Sequence, residues 1–161
     1  MAVTTAAEIR DAMRSAVRAI TPSLLAHVPF KAHDERVPLR QWAELNKTAA
    51  FRWFSVRDTG DVVPPVVSNM DRDRVETTFE FVTAYPLDYR YGNQLALDMD
   101  DVVESDLRQV EHKIGSNGYS LLDLTTGGDA TVTTIGTSRE SGESCAFGVL
   151  RLRVEFWRQM S

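Results

Sequence analysis

The chain has 161 residues, of which 43% are hydrophobic and 25% charged, and a net charge of −5. A chain of this length fits one domain whose folding buries roughly 68–70% of its unfolded surface, and it lacks the apolar depletion of disordered segments. The acidic balance argues against broad attraction to nucleic-acid phosphates, no stretch suits a membrane span, residues 1–7 lack a signal-peptide pattern, and the lone Cys145 precludes an internal disulfide and fits folding in a reducing cytoplasm.

Thr5-Ala6-Ala7-Glu8 is a capping-box pattern that predicts a helix with Ile9, Met13, Ala16, Val17 and Ile20 on one face. Thr21-Pro22 should end or kink it, and residues 23–28 could add a short further turn. Residues 29–47 show no sustained period and read as a long loop, a candidate contact surface because such loops are uncommon unless they bind something. Residues 49–57, with Phe51, Trp53, Phe54 and Val56, read as a first strand closed by an Asp58-Thr59-Gly60-Asp61 turn. The alternation slips at Trp53-Phe54, which implies a bulge or burial on both faces. Residues 61–73 look irregular, with Pro64-Pro65 keeping them extended and unpaired.

The second strand is plainer: Val75, Thr77, Phe79 and Phe81 alternate with Glu76, Thr78 and Glu80 as far as Tyr85-Pro86. Asp98 can then cap a helix carrying Val103, Leu107, Val110 and Ile114 on one stripe, with Gly115 as its stop. Residues 119–124 and 130–135 are strand candidates, and residues 138–144 form a polar turn. In the last strand Gly148, Leu150, Leu152, Val154 and Phe156 face one way while Val149, Arg151, Arg153 and Glu155 face the other. The whole reads as a single α+β domain over residues 1–161: a mostly antiparallel sheet of about four to five strands, two main helices on one face, and long loops.

No constellation of catalytic residues emerges. His27, His33 and His112 stand in separate contexts, and neighbours in His33-Asp34-Glu35 point apart on an extended chain. Cys145 has no local base, and no Gly-x-Ser-x-Gly elbow or phosphate-binding glycine loop occurs. The acidic run Asp98, Asp100, Asp101, Glu104 and Asp106 is explained by the helix dipole. No catalytic residue, cofactor or metal is therefore expected. Arg36, Arg40, Arg72, Arg74 and Arg139, all in stretches read as loops, join Trp42, Arg151, Arg153 and Trp157 as candidate protein-contact residues.

The segment from Arg74 to Val82, the helix of residues 97–114 and the closing strand of residues 148–156 together resemble the tail terminator proteins of long-tailed phages, also called minor tail or tail completion proteins. The resemblance is one of layout over almost the whole length. It implies a structural virion protein, not an enzyme, made in the host cytoplasm and placed in the tail or neck. It further implies a six-membered ring of identical subunits that caps the tail tube, ends its growth and meets the head or neck proteins, with DNA passing through its lumen and no sequence-specific nucleic-acid contact. A head-completion or tail-to-head joining protein shares that logic. The alternative of another class is a small α+β ligand carrier or cyclase-like enzyme, with Tyr85, Asp88, Tyr89 and Tyr91 lining an apolar concavity.

Overall fold

The computed structural model describes residues 5–26, 28–33, 36–45, 52–62, 67–69, 72–86, 99–115, 131–141 and 145–159. In chain order the elements are α1 (Ala6–Arg18), β1 (Phe30–Ala32), α2 (Leu39–Leu45), β2 (Arg52–Val62), β3 (Val67–Asn69), β4 (Arg72–Pro86), α3 (Met99–Ile114), β5 (Thr131–Ser141) and β6 (Cys145–Gln159). The sheet runs β1-β2-β4-β6-β5, with β3 also on β4, and every pairing except the parallel β1-β2 is antiparallel. The fold is α+β, as the sequence pattern implies.

The centre of the sheet is the β4-β6 ladder, in continuous register from Arg72 opposite Gln159 to Pro86 opposite Cys145. Period-2 alternation sends Val75, Phe79 and Phe81 of β4, with Leu150, Leu152, Val154 and Phe156 of β6, into one core. α1 and α3 cover this face. Thr5 caps α1 by accepting the Glu8 N–H at 3.1 Å, and Ile9, Met13, Ala16 and Val17 are its buried stripe. α3 contributes Val102, Val103, Leu107, Val110 and Ile114. Its Gln109 ties down the exit from α1, accepting from Ser23 N–H at 2.8 Å and donating to the Thr21 carbonyl at 3.1 Å.

Gly148 is where the sheet lets α3 come close. A methyl group there would lie 2.9 Å from Val103 Cγ1 and 3.3 Å from Leu107 Cδ2. On the opposite face the short helix α2 caps one end of the sheet through Ala43 and Leu39 against Val82, Ala84, Cys145 and Phe147. The rest of that face carries the polar phase of β4 and β6.

Several expectations require correction. The stretch 29–47 is not one long loop, because it holds β1 and α2, elements too short to show a period. Residues 58–61 do not reverse the chain: β2 runs on to Val62, and the Asp-Thr-Gly-Asp composition coincides with an irregularity in the ladder, where the register shifts between Asp58 opposite Phe79 and Val62 opposite Thr77. β3 and the start of β4 likewise order part of the stretch 61–73. Residues 138–141 are strand rather than turn, held by β6. After Thr21-Pro22 the chain bends through Leu25 at φ 53° and makes one turn, closed by the Val28 N–H donating to the Leu25 carbonyl at 2.9 Å.

Trp53 and Phe54 are both buried, one on each face of the sheet, which resolves the slipped alternation. The expected strand at residues 119–124, Pro64-Pro65 and the Asp98 cap lie outside the described residues.

Candidate interaction surface

The bare sheet face is cross-linked by charge. Where β4 and β6 pair antiparallel, Glu76 stands opposite Glu155 and Glu80 opposite Arg151, so the long side chains reach diagonally as well as straight across. Arg153 Nε meets Glu76 at 2.8 Å and Arg74 Nε meets Glu155 at 3.8 Å. Glu80, only 14% exposed, accepts on both oxygens, from Arg57 of β2 at 3.1 Å and from Arg151 Nε at 3.2 Å. At the far end the Arg74 guanidinium lies 5.7 Å from the Trp157 ring centroid and donates to Thr131 Oγ1 at 3.2 Å.

α2 overhangs this face and closes a cleft of about 640 Å³. Leu39, Val82, Phe147 and Val149 give it an apolar floor, and Arg40, Arg57, Arg151, Glu80 and Glu140 line its rim. Arg40 stacks 4.5 Å from the Phe147 centroid while pairing with Glu140 at 2.6 Å, so one side chain fastens α2 to both β6 and β5. Trp42 meets Trp53 edge to face at 5.3 Å on the same helix's other flank. A second groove, of about 580 Å³, runs between α3 and β5 past Glu104, Leu107, Arg108 and Arg139.

Of the five arginines read as loop residues, Arg40, Arg72, Arg74 and Arg139 lie in regular elements, while Arg151 and Arg153 stand on the last strand as expected. Arg40 stands on α2, Arg74 on β4, Arg139 on β5, and Arg151 and Arg153 on β6. Arg72 begins β4, with its side chain outside the described residues, and Arg36 is exposed in the turn before α2. The fold brings Arg40 and Arg151 together at the cleft and Arg74 together with Trp157. Arg139 instead lies on the side of α3, donating to the Asp100 carbonyl at 3.3 Å. Sequence reasoning missed Arg57, Glu80, Glu140 and Phe147. Glu80 was visible as a polar-phase residue of an alternating strand, yet its pairing with Arg151 needs the register.

A second charged group lies inside the core. Arg52, Asp106 and Tyr85 are buried together, with Arg52 Nε 2.7 Å and Tyr85 OH 2.6 Å from the same Asp106 oxygen. Asp106 is therefore not one of the solvated acids of a helix start; it points from the second turn of α3 into the sheet. Arg52 also donates to the carbonyls of Leu24, Leu25 (3.0 Å) and Val28, which holds the bend between α1 and β1.

Burial pushes the Asp106 carboxyl above its usual range despite the attraction of Arg52 and the hydrogen bonds from Tyr85 and Arg52. Burial, followed by the Asp106 charge, pushes the Tyr85 phenol well up. Tyr85 is thus a core residue and lines no open concavity, while Asp88, Tyr89 and Tyr91 lie outside the described residues.

Among the described residues no group of His, Cys, Asp and Glu is placed to hold a metal ion, and no helix is long and apolar enough to cross a membrane. Cys145 is buried, and His33 Nδ1 lies 3.3 Å from the Phe54 carbonyl. No protein-family model matches the chain, and no curated protein matches it in sequence.

Proposed function

We propose that this chain is a structural ring subunit that caps the tail tube of a long-tailed phage, ends its growth and offers a face to the head. The observation that carries the reading is the layout: an N-terminal helix, the β2-β4 pair, a helix laid across the same sheet face, and a closing β5-β6 hairpin. That is the order the resemblance implies. The two faces of the sheet are also unlike, one sealed by α1 and α3 and the other ion-paired and partly covered by α2. Unlike surfaces meet head to tail, and a head-to-tail contact closes into a ring when its rotation allows.

Native mass measurement from micromolar to high concentration, together with electron microscopy of purified tail tubes mixed with the protein, tests the proposal. Six-membered rings seated on tube ends are expected. A chain that stays monomeric and leaves tube ends bare refutes it. A head-completion subunit would form rings that bind head portals and leave tubes uncapped.

A further inference from the structure

We propose that Arg57 and Arg151, held side by side on Glu80 at the cleft beneath α2, receive the carboxylate of Asp101 from a second copy of this chain. The inference rests on the ring reading above and names the contact that would build the ring.

Glu80 neutralises one of two guanidinium groups, because a single carboxylate spans both. Arg57 gives it one terminal nitrogen and Arg151 gives it Nε; among the described residues neither guanidinium has another hydrogen-bond partner. Unused N–H groups on both guanidiniums therefore remain for another acceptor. Glu80 itself is largely covered and fixes them in position, so little side-chain freedom is left to lose on binding. A planar fork of N–H donors matches a carboxylate in particular, since both of its oxygens can be met at once. The apolar floor of Val82, Phe147 and Val149 beside them lowers the local dielectric and strengthens such a bond.

This surplus of positive charge belongs to a chain whose net charge is −5, so a second copy carries acids in excess to meet it. Among the described residues, the other acids of the bare face are engaged: Glu76 with Arg153, Glu140 with Arg40, and Glu155 with Arg74. In the first turn of α3, Asp101 is exposed and has no partner among the described residues, whereas Arg139 approaches Asp100 at 3.9 Å and Arg108 pairs with Glu104 at 2.6 Å. α3 packs on the sealed face of the sheet and the cleft opens on the other. One molecule therefore cannot satisfy its own arginines with Asp101, and the contact is between unlike surfaces of two copies, the kind that closes into a ring when its rotation allows.

Two variants and their mixture test this: Arg57→Gln with Arg151→Gln, and Asp101→Lys. All the altered side chains are solvent-accessible, and circular dichroism melts check that each variant keeps the wild-type fold. By native mass and sedimentation, alone and with tail tubes, each variant should need at least tenfold more protein to assemble than wild type. An equimolar mixture should stop at one-to-one pairs, because each variant keeps one intact surface and only one productive contact can form.

Folded variants that form rings at wild-type concentrations overturn this contact and leave the ring reading standing. A mixture that grows past pairs to full rings also overturns it. A wild-type chain that is monomeric under every condition overturns both.

Discussion

The buried Arg52-Asp106-Tyr85 cluster makes a demanding prediction about Asp106→Asn. The substitution keeps the shape of the side chain and removes its charge. Arg52, fully buried, would then face the carbonyls of Leu24, Leu25 and Val28 with no anion beside it. Stranding one member of a buried pair costs about 3–5 kcal/mol, against a total stability of roughly 5–15 kcal/mol for a domain. With about 2–4 °C of melting temperature per kcal/mol at this chain length, the variant should melt roughly 6–20 °C lower.

Urea unfolding followed by tryptophan fluorescence measures the loss. The companion variants Arg52→Met and Arg52→Met/Asp106→Asn complete a cycle in which the double change costs less than the sum by about 2 kcal/mol, because it removes the charge that each single change strands. The carbonyls still lose their donor, so the double variant should not regain wild-type stability. An Asp106→Asn variant within about 1 kcal/mol of wild type, or a cycle that is simply additive, would refute the reasoning.

Three further outcomes follow from other parts of the fold. Gly148→Ala should destabilise by about 1–3 kcal/mol, since the new methyl meets Val103 and Leu107 on α3; calorimetry that shows no loss would mean that the helix shifts freely. Above the ordinary phenol value near 10, the folded chain should hold the Tyr85 proton that the unfolded chain releases, so stability should fall as pH rises beyond that point. Tyr85→Phe, compared with wild type by urea titration between pH 8 and 11, should show a shallower decline. Thr5→Ala should cost about 1 kcal/mol by removing the acceptor for the Glu8 N–H, visible as a melting point lower by a few degrees.

Those parts of the fold that obey a strong local rule were readable in the amino-acid order. Thr5 and Glu8 announced α1, and strict alternation in β4 and β6 marked both strands and the division between their apolar and polar faces, while their pairing with each other came only with the structure. What was not readable depends on partners distant in sequence. Asp58-Thr59-Gly60-Asp61 has the composition of a turn, but pairing with β4 on either side of it, at Asp58 and Val62, makes it a register shift within a strand. β1 and α2 are too short for a period to stand out, so their stretch looked featureless.

The charged sites divide in the same way. Arg151 and Arg153 were picked out because the last strand alternates, yet Arg57 and Glu80 join them only through register. Arg52 could not be recognised, since an arginine at a strand's start ordinarily faces water, and Asp106 was hidden among acids that do.

The β4-β6 ladder has a consequence for how the molecule comes into being. β4 pairs along its full length with β6, a strand synthesised well after it, so Arg72 must wait for Gln159. Until β6 emerges, β4 has an apolar edge with nothing to pair with, and α1 and α3 have half a sheet to pack on. Contacts between such distant stretches slow folding and leave strand edges exposed meanwhile. The polar phase of β4, with Glu76, Thr78 and Glu80 on one side, is well suited to keep that half-built sheet from joining another nascent chain.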